Sequence, residues 1–240
     1  MSHTNNTQER AYPQAFGRAQ RRFLRRQVVF AFFGLAIVAL GLFLVLGRGD
    51  SPKSNTAPVE APTPKGVVAV DMGLSVCWAS CNVGAEVAAE PGDYFAWGEM
   101  ASFESYVYNN SSTYDKVVEG GVLPLSNDAS TLLGEGWRMP TVEEFEELIT
   151  ECEWRLTQRD GVSGYEVVAT NGNSIFLPAS GYIYDEQISL DGLEGVYWCS
   201  NIAAEDDVRH AMTLRFKNRE RFFEPLWRYY GAQIRAVKEI

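Results

Sequence analysis

The hydrophobic pattern changes character twice along the chain. Gln27–Gly47 (QVVFAFFGLAIVALGLFLVLG) runs without a charged side chain. About 20 apolar residues at ~1.5 Å rise each match the ~30 Å hydrocarbon thickness of a bilayer, so the run predicts a single transmembrane helix. From Gly66 the pattern becomes short β-branched and aromatic stretches bounded by glycine and asparagine, which predicts strands. Val67–Val70 and Leu74–Ser80 are the first two, and Asp93–Trp97 is a further short extended run. Ser102–Leu133 is rich in Ser, Asn, Tyr and Gly and holds no sustained period. It predicts a long surface excursion with at most short helices.

The sharpest local signal follows. Thr141 and Glu144 have the spacing of a capping box, in which each side chain satisfies a backbone N–H left orphaned at a helix start. Glu143, Glu144, Glu146 and Glu147 favour the same helix end electrostatically, and read as a solvated face rather than metal ligands. Phe145, Leu148, Ile149 and Cys152 recur at i, i+3, i+4 and i+7, one apolar stripe. The period then drops to two. Tyr165–Ala169 and Ser174–Leu177 flank Asn171-Gly172, a hairpin dipeptide, and Tyr182–Leu190 reads as another strand pair. Gly195–Asn201, Arg209–Phe216 and Gln233–Lys238 complete a β-rich second half without internal repeats.

Charge orients the apolar run. Arg18, Arg21, Arg22, Arg25 and Arg26 precede it, whereas only Arg48 and Lys53 follow closely. This asymmetry places the N-terminus in the cytoplasm and the remainder across the membrane. A cleaved signal peptide has an apolar core of only ~7–15 residues, so the run reads as an uncleaved signal-anchor, although Val45-Leu46-Gly47 is a passable cleavage site. The expected organisation is a basic cytoplasmic tail (1–26), a transmembrane helix (27–47), a linker with four prolines (48–65) and an extracytoplasmic domain (66–240). Arg48-Gly49-Asp50 matches an integrin-binding tripeptide, but its place against the membrane makes chance the better explanation.

Six of the 21 basic side chains and one of the 31 acidic ones fall in the first 47 residues, leaving 15 basic against 30 acidic beyond them. So acidic a domain repels phosphates and excludes nucleic acid as a partner. Its apolar content is enough for one core. Four cysteines in an oxidising compartment are expected to pair. Cys77 and Cys81 lie four apart in or beside one predicted strand, ~13 Å between Cα atoms. A disulfide needs about 7 Å or less, so these two do not join each other and two connectivities remain, with four buried free thiols as the alternative.

Catalytic constellations are missing from the sequence. The two histidines, His3 and His210, lie far apart, leaving no His-based zinc site and no His-dependent triad. Phosphate-binding glycine loops and Gly-x-Ser-x-Gly elbows are absent. The expectation is a non-enzymatic chain without cofactor or metal.

Several motifs together resemble the Fibrobacter succinogenes major paralogous domain family. They are Gly73–Val76, Trp78–Ala85 (WASCNVGA), Gly92–Glu99 (GDYFAWGE), Gly136–Thr141 (GWRMPT), Asn173–Tyr182 (NSIFLPASGY), Tyr197-Trp198, and Arg228–Gly231 with Ile234-Arg235. In the family's order they cover nearly all of Val67–Lys238. The resemblance implies an α+β, C-type-lectin-like fold akin to that of the formylglycine-generating (sulfatase-modifying) enzymes. It further implies an envelope protein of a Bacteroidetes-type bacterium, here at the inner membrane with its C-terminal domain periplasmic. It supplies no general activity. The reactive cysteine pair that binds copper in the formylglycine-generating relatives is not matched, since no cysteine follows Cys199. The calcium loops of lectins are not matched either; Trp198-Cys199-Ser200-Asn201 is the nearest approach to their Trp-Asn-Asp strand. Cys81 and Cys152 stand where relatives commonly carry cysteine, and Cys77 and Cys199 where relatives more often carry lysine and serine. That comparison implies the pairs Cys81–Cys152 and Cys77–Cys199.

The resulting expectation is a membrane-anchored envelope protein whose lectin-like domain binds a protein or glycan partner. A structural subunit of a larger membrane complex and a formylglycine-generating-type enzyme are the alternatives. Trp78, Trp97, Trp137, Trp154 and Trp198 are expected in the core. Trp227-Arg228-Tyr229-Tyr230 is aromatic enough for a surface, with the core again favoured. Ligand contacts are expected from Ser102–Leu133 and Tyr182–Glu194, the irregular long-loop regions.

Overall fold

The computed structural model describes residues 66–240. The basic tail, the Gln27–Gly47 run and the proline-rich linker lie outside the described residues.

Among the described residues twelve strands and one α-helix are formed: β1 (Ala69–Asp71), β2 (Val76–Ala79), β3 (Trp137–Arg138), α1 (Val142–Glu151), β4 (Glu153–Arg159), β5 (Val162–Val168), β6 (Ser174–Pro178), β7 (Tyr182–Tyr184), β8 (Gln187–Ser189), β9 (Gly195–Ile202), β10 (His210–Lys217), β11 (Glu220–Trp227) and β12 (Val237–Glu239). They build a four-stranded sheet in the order β1-β2-β12-β3, two three-stranded meanders, β4-β5-β6 and β9-β10-β11, and the β7-β8 hairpin. Every named strand pairing is antiparallel. β12 pairs through Val237 with both Trp78 and Arg138, so the last strand closes the sheet begun by the first two.

This architecture corrects the α+β, C-type-lectin-like expectation. Strands hold 39% of the described residues against 14% in helical turns, and the α-helical part is a single ten-residue segment, so the domain is mostly β. The long excursion adds only short 3-10 turns, at Tyr108–Asn110, Glu119–Gly121, Leu125–Asn127 and Ala129–Leu133. Gly120 and Gly121 at positive φ and Pro124 interrupt any longer helix there. Among the described residues no helix is long and apolar enough to cross a membrane.

Local chemistry explains the elements. Helix α1 carries the full capping box: Thr141 Oγ1 accepts from the Glu144 amide, and the Glu144 carboxylate accepts from the Thr141 amide at 2.8 Å. The same carboxylate takes two hydrogen bonds from Arg138, fixing the helix start to β3. Strand β4 is missing from the sequence prediction, yet Asp160-Gly161 marks its turn. Both residues have positive φ (53° and 80°), the two-residue hairpin geometry that matches strand twist. At Asn171-Gly172 only the glycine is left-handed, and its N–H donates to the Ala169 carbonyl, giving the longer loop built on a type I turn.

Strand β9 separates two cores by its period of two. Tyr197 and Cys199 join the first, with Trp78, Phe145, Leu148 and Leu214. Val196 and Trp198 join the second, with Trp97, Trp137, Ile234 and Ala236. The indole N–H of Trp97 donates to Cys199 O and that of Trp198 to Phe95 O, so the 95–97 segment is pinned to β9 by tryptophan. Trp78, Trp97, Trp137 and Trp198 are buried as the sequence indicated, and Trp154 packs half-buried against the first core.

Arg235 lies wholly inside. It donates to Asn82 Oδ1, Ala79 O and Phe176 O at 2.8–2.9 Å, tying the 79–82 segment, β6 and the segment before β12 together. Burial lowers the guanidinium below its ordinary pKa, and its acceptors are neutral oxygens rather than a carboxylate.

Candidate functional site

Strand β11 ends at Trp227, and the next three residues point in different directions. Arg228 turns inward and is completely buried, whereas Trp227, Tyr229 and Tyr230 stay half-exposed. The Arg228 guanidinium donates to four backbone carbonyls: His210 (3.1 Å), Thr113 (3.2 Å), Lys116 (2.8 Å) and Asp207 (2.9 Å). It also lies 4.7 Å from the centre of the Trp97 ring, a cation–π contact with the second core. One side chain therefore clamps the 113–116 turn of the excursion and the 207–210 approach to β10 against the end of β11.

That clamp assembles an aromatic face from separate parts of the chain. Tyr114 meets Trp227 at 6.2 Å and Tyr229 edge-on at 5.2 Å, and Tyr108 meets Tyr229 edge-on at 6.4 Å. Tyr229 meets Tyr230 edge-on at 5.0 Å. On the other side of Tyr230 stand the tyrosines of β7: Tyr182 stacks parallel at 5.5 Å and Tyr184 lies at 4.9 Å. Alternation in β7 sends Ile183 down to a small third core while its two neighbours reach the face. Tyr182 and Tyr230 rest on the second core. Tyr108 (57% exposed) and Tyr184 (48%) are the open ends of this strip.

Several charges next to the rings are bonded to one another. Arg209 Nε donates to Asp115 at 2.6 Å, with its guanidinium 6.0 Å from the Tyr114 ring centre. His210 packs at 4.0 Å on Trp227 and holds the Asp207 carboxylate through Nδ1 at 2.8 Å. Burial pushes Asp207 up, but hydrogen bonds from the Arg209 and His210 amides and from the His210 ring outweigh it and hold the carboxyl below its ordinary pKa. Arg215, under the Tyr182 ring at 5.6 Å, is bonded to Glu194 at 3.1 Å. Burial, followed by the neighbouring hydroxyls of Tyr230, Tyr114 and Tyr184, pushes the Tyr229 phenol up to about 12. The Tyr229 ring therefore stays neutral at physiological pH.

No reactive constellation accompanies it. Among the described residues no group of three or more His, Cys, Asp or Glu is placed to hold a metal. The His210 ring is bonded to Asp207, with no described hydroxyl or thiol bonded to it as a nucleophile. A separate open cleft of about 610 Å³, lined by Leu156, Tyr165, Leu193 and Phe216 among others, contains one charged side chain, Lys217.

All four cysteines are free in the structure, so the expected pairs Cys81–Cys152 and Cys77–Cys199 are not formed. Strand alternation accounts for the second pair. Val76 and Trp78 face the first core, where Cys199 sits, and Cys77 between them faces away. Cys81 is buried with Sγ 3.4 Å from Ala85 O, while Cys152 is half-buried at the end of α1. Burial is the leading cause that raises every one of these thiols, most strongly Cys199. Alkylation of the native chain near pH 8 is expected to label Cys77 and Cys152 first, and Cys199 only after denaturation. Peptide mapping checks it, and rapid native labelling of Cys199 would contradict its placement. Because folding raises these thiols, their contribution to stability declines as pH rises past the ordinary thiol range, where the unfolded chain ionises first.

The two regions expected to make contacts, Ser102–Leu133 and Tyr182–Glu194, do meet, and they meet on Trp227–Tyr230. Sequence reasoning missed β4, β11, the Arg228 clamp and the His210–Asp207 pair. The Asp-x-x-His spacing was the available signal for the pair, whereas Glu220–Trp227 (ERFFEPLW) does not alternate and carries no strand period. Compared with protein-family models, characterised proteins and solved structures, the chain matches none.

Proposed function

We propose that this chain is a non-catalytic envelope protein, held at the membrane by its apolar run at 27–47, whose β-rich domain binds a partner outside the cytoplasm through the aromatic face. The observation that carries the reading is the Arg228 clamp. A fully buried guanidinium satisfying four carbonyls is an expensive way to fix two loops. What it fixes is a strip of Tyr and Trp, the side chains that dominate binding hot spots. The arginine cluster before the run supports the topology.

The test is a photo-crosslinking residue at position 108 or 184 of the full chain in cells, with position 220 as control. Adducts to an envelope component are expected from the two aromatic positions, and protease added to spheroplasts should digest them. Adducts to cytoplasmic components, or equal adducts from position 220, would overturn the reading.

A further inference from the structure

We infer that the aromatic face takes an uncharged glycan, bound by stacking of its sugar rings on the tyrosine strip; this rests on the binding reading above. Three observations combine. The first is composition. The side chains in mutual ring contact are six tyrosines and Trp227, whereas the aliphatic residues of the β7-β8 hairpin, Ile183 and Ile188, pack beneath them on the third core. Flat π-faces with polar tips suit a ligand that has apolar C–H faces and hydroxyl edges.

The second is charge. Asp115 is bonded to Arg209, Asp207 to the His210 ring and Arg215 to Glu194, while Arg228 is buried on carbonyls. A cationic or anionic ligand would have to break these pairs, and an anionic one would also meet an acidic domain. A neutral ligand breaks none of these bonds, and the carboxylates and guanidinium at the edge of the face can share hydrogen bonds with its hydroxyls. The third is extent. Ring contacts continue from Tyr108 through Tyr229 and Tyr230 to Tyr184, so the strip accommodates successive sugars rather than one.

The experiment is affinity electrophoresis of the full chain, in a detergent without a sugar head group, through gels holding neutral β-glucan, neutral mannan, cationic chitosan or anionic alginate. Retardation by a neutral glycan is expected. Y108A and Y184A should each weaken it by roughly fivefold, the size of one aromatic stacking contact. Both residues are exposed, so circular dichroism should show these variants folded, and L156A in the separate cleft should bind like the parent. Equal retardation of parent and both variants would overturn the assignment, as would preference for chitosan or alginate. Crosslinks from positions 108 and 184 to a protein, without retardation by either neutral glycan, would overturn the ligand class while the binding reading stands. Failure of both experiments would overturn the binding reading as well.

Discussion

Arg235→Met is expected to lower the unfolding free energy by about 3–5 kcal/mol, the net cost of leaving several buried acceptors without their donor. The side chain is fully buried and satisfies Asn82 Oδ1, Ala79 O and Phe176 O. Methionine fills much of the volume and removes the desolvation cost of the charge, which works in the variant's favour. It also leaves three oxygens without their donor, at about 1–3 kcal/mol for each that water does not reach. The second effect is larger because the acceptors come from three different segments and no neighbouring donor can replace all three. Urea unfolding followed by tryptophan fluorescence measures the change. A variant within 1 kcal/mol of the parent would show that the guanidinium is dispensable. Arg235→Lys should rescue little, since one ammonium cannot reproduce the planar fork that spans these acceptors.

The second large effect is expected at Arg228, and it differs in kind. Its four carbonyl acceptors lie at the edge of the fold, where water can replace part of what is lost. Arg228→Met should therefore cost less stability than Arg235→Met, about 2–4 kcal/mol on the same hydrogen-bond scale. The aromatic face should suffer more. Releasing the 113–116 segment separates Tyr114 from Trp227 and Tyr229, while His210 keeps its ladder position opposite Trp227, so partner binding should fall by more than tenfold. Limited proteolysis should open new cuts in the 113–116 and 207–210 segments before the rest of the domain unfolds. Binding that survives with both segments cleaved would show that the clamp does not organise the face.

Some of the chain was determined by short-range rules. The capping box at Thr141 and Glu144 specifies the start of α1 because donors and acceptors lie within one turn. Period-two stretches marked β5, β6, β9 and β10, whose inward residues form the cores. The weak period of Ser102–Leu133 gave short 3-10 turns, and these pattern-level features needed no partner to be read.

Only the tertiary structure decided the rest. The predominance of strand over the implied α+β, lectin-like arrangement depends on pairings such as β12 with β2 and β3, whose partners are far apart in sequence. Motif likeness did not fix those pairings. The four thiols are free in the structure, and the opposite faces of Cys77 and Cys199 follow from strand alternation in space. The aromatic face was hidden for a related reason. Tyr108, Tyr114, Tyr182 and Tyr184 lie in the two loop regions expected to make contacts, but nothing local joins them to one another or to Arg228. Its burial on carbonyls from distant segments turns those tyrosines into one face, and long-range contacts of that kind leave no periodic trace in the chain.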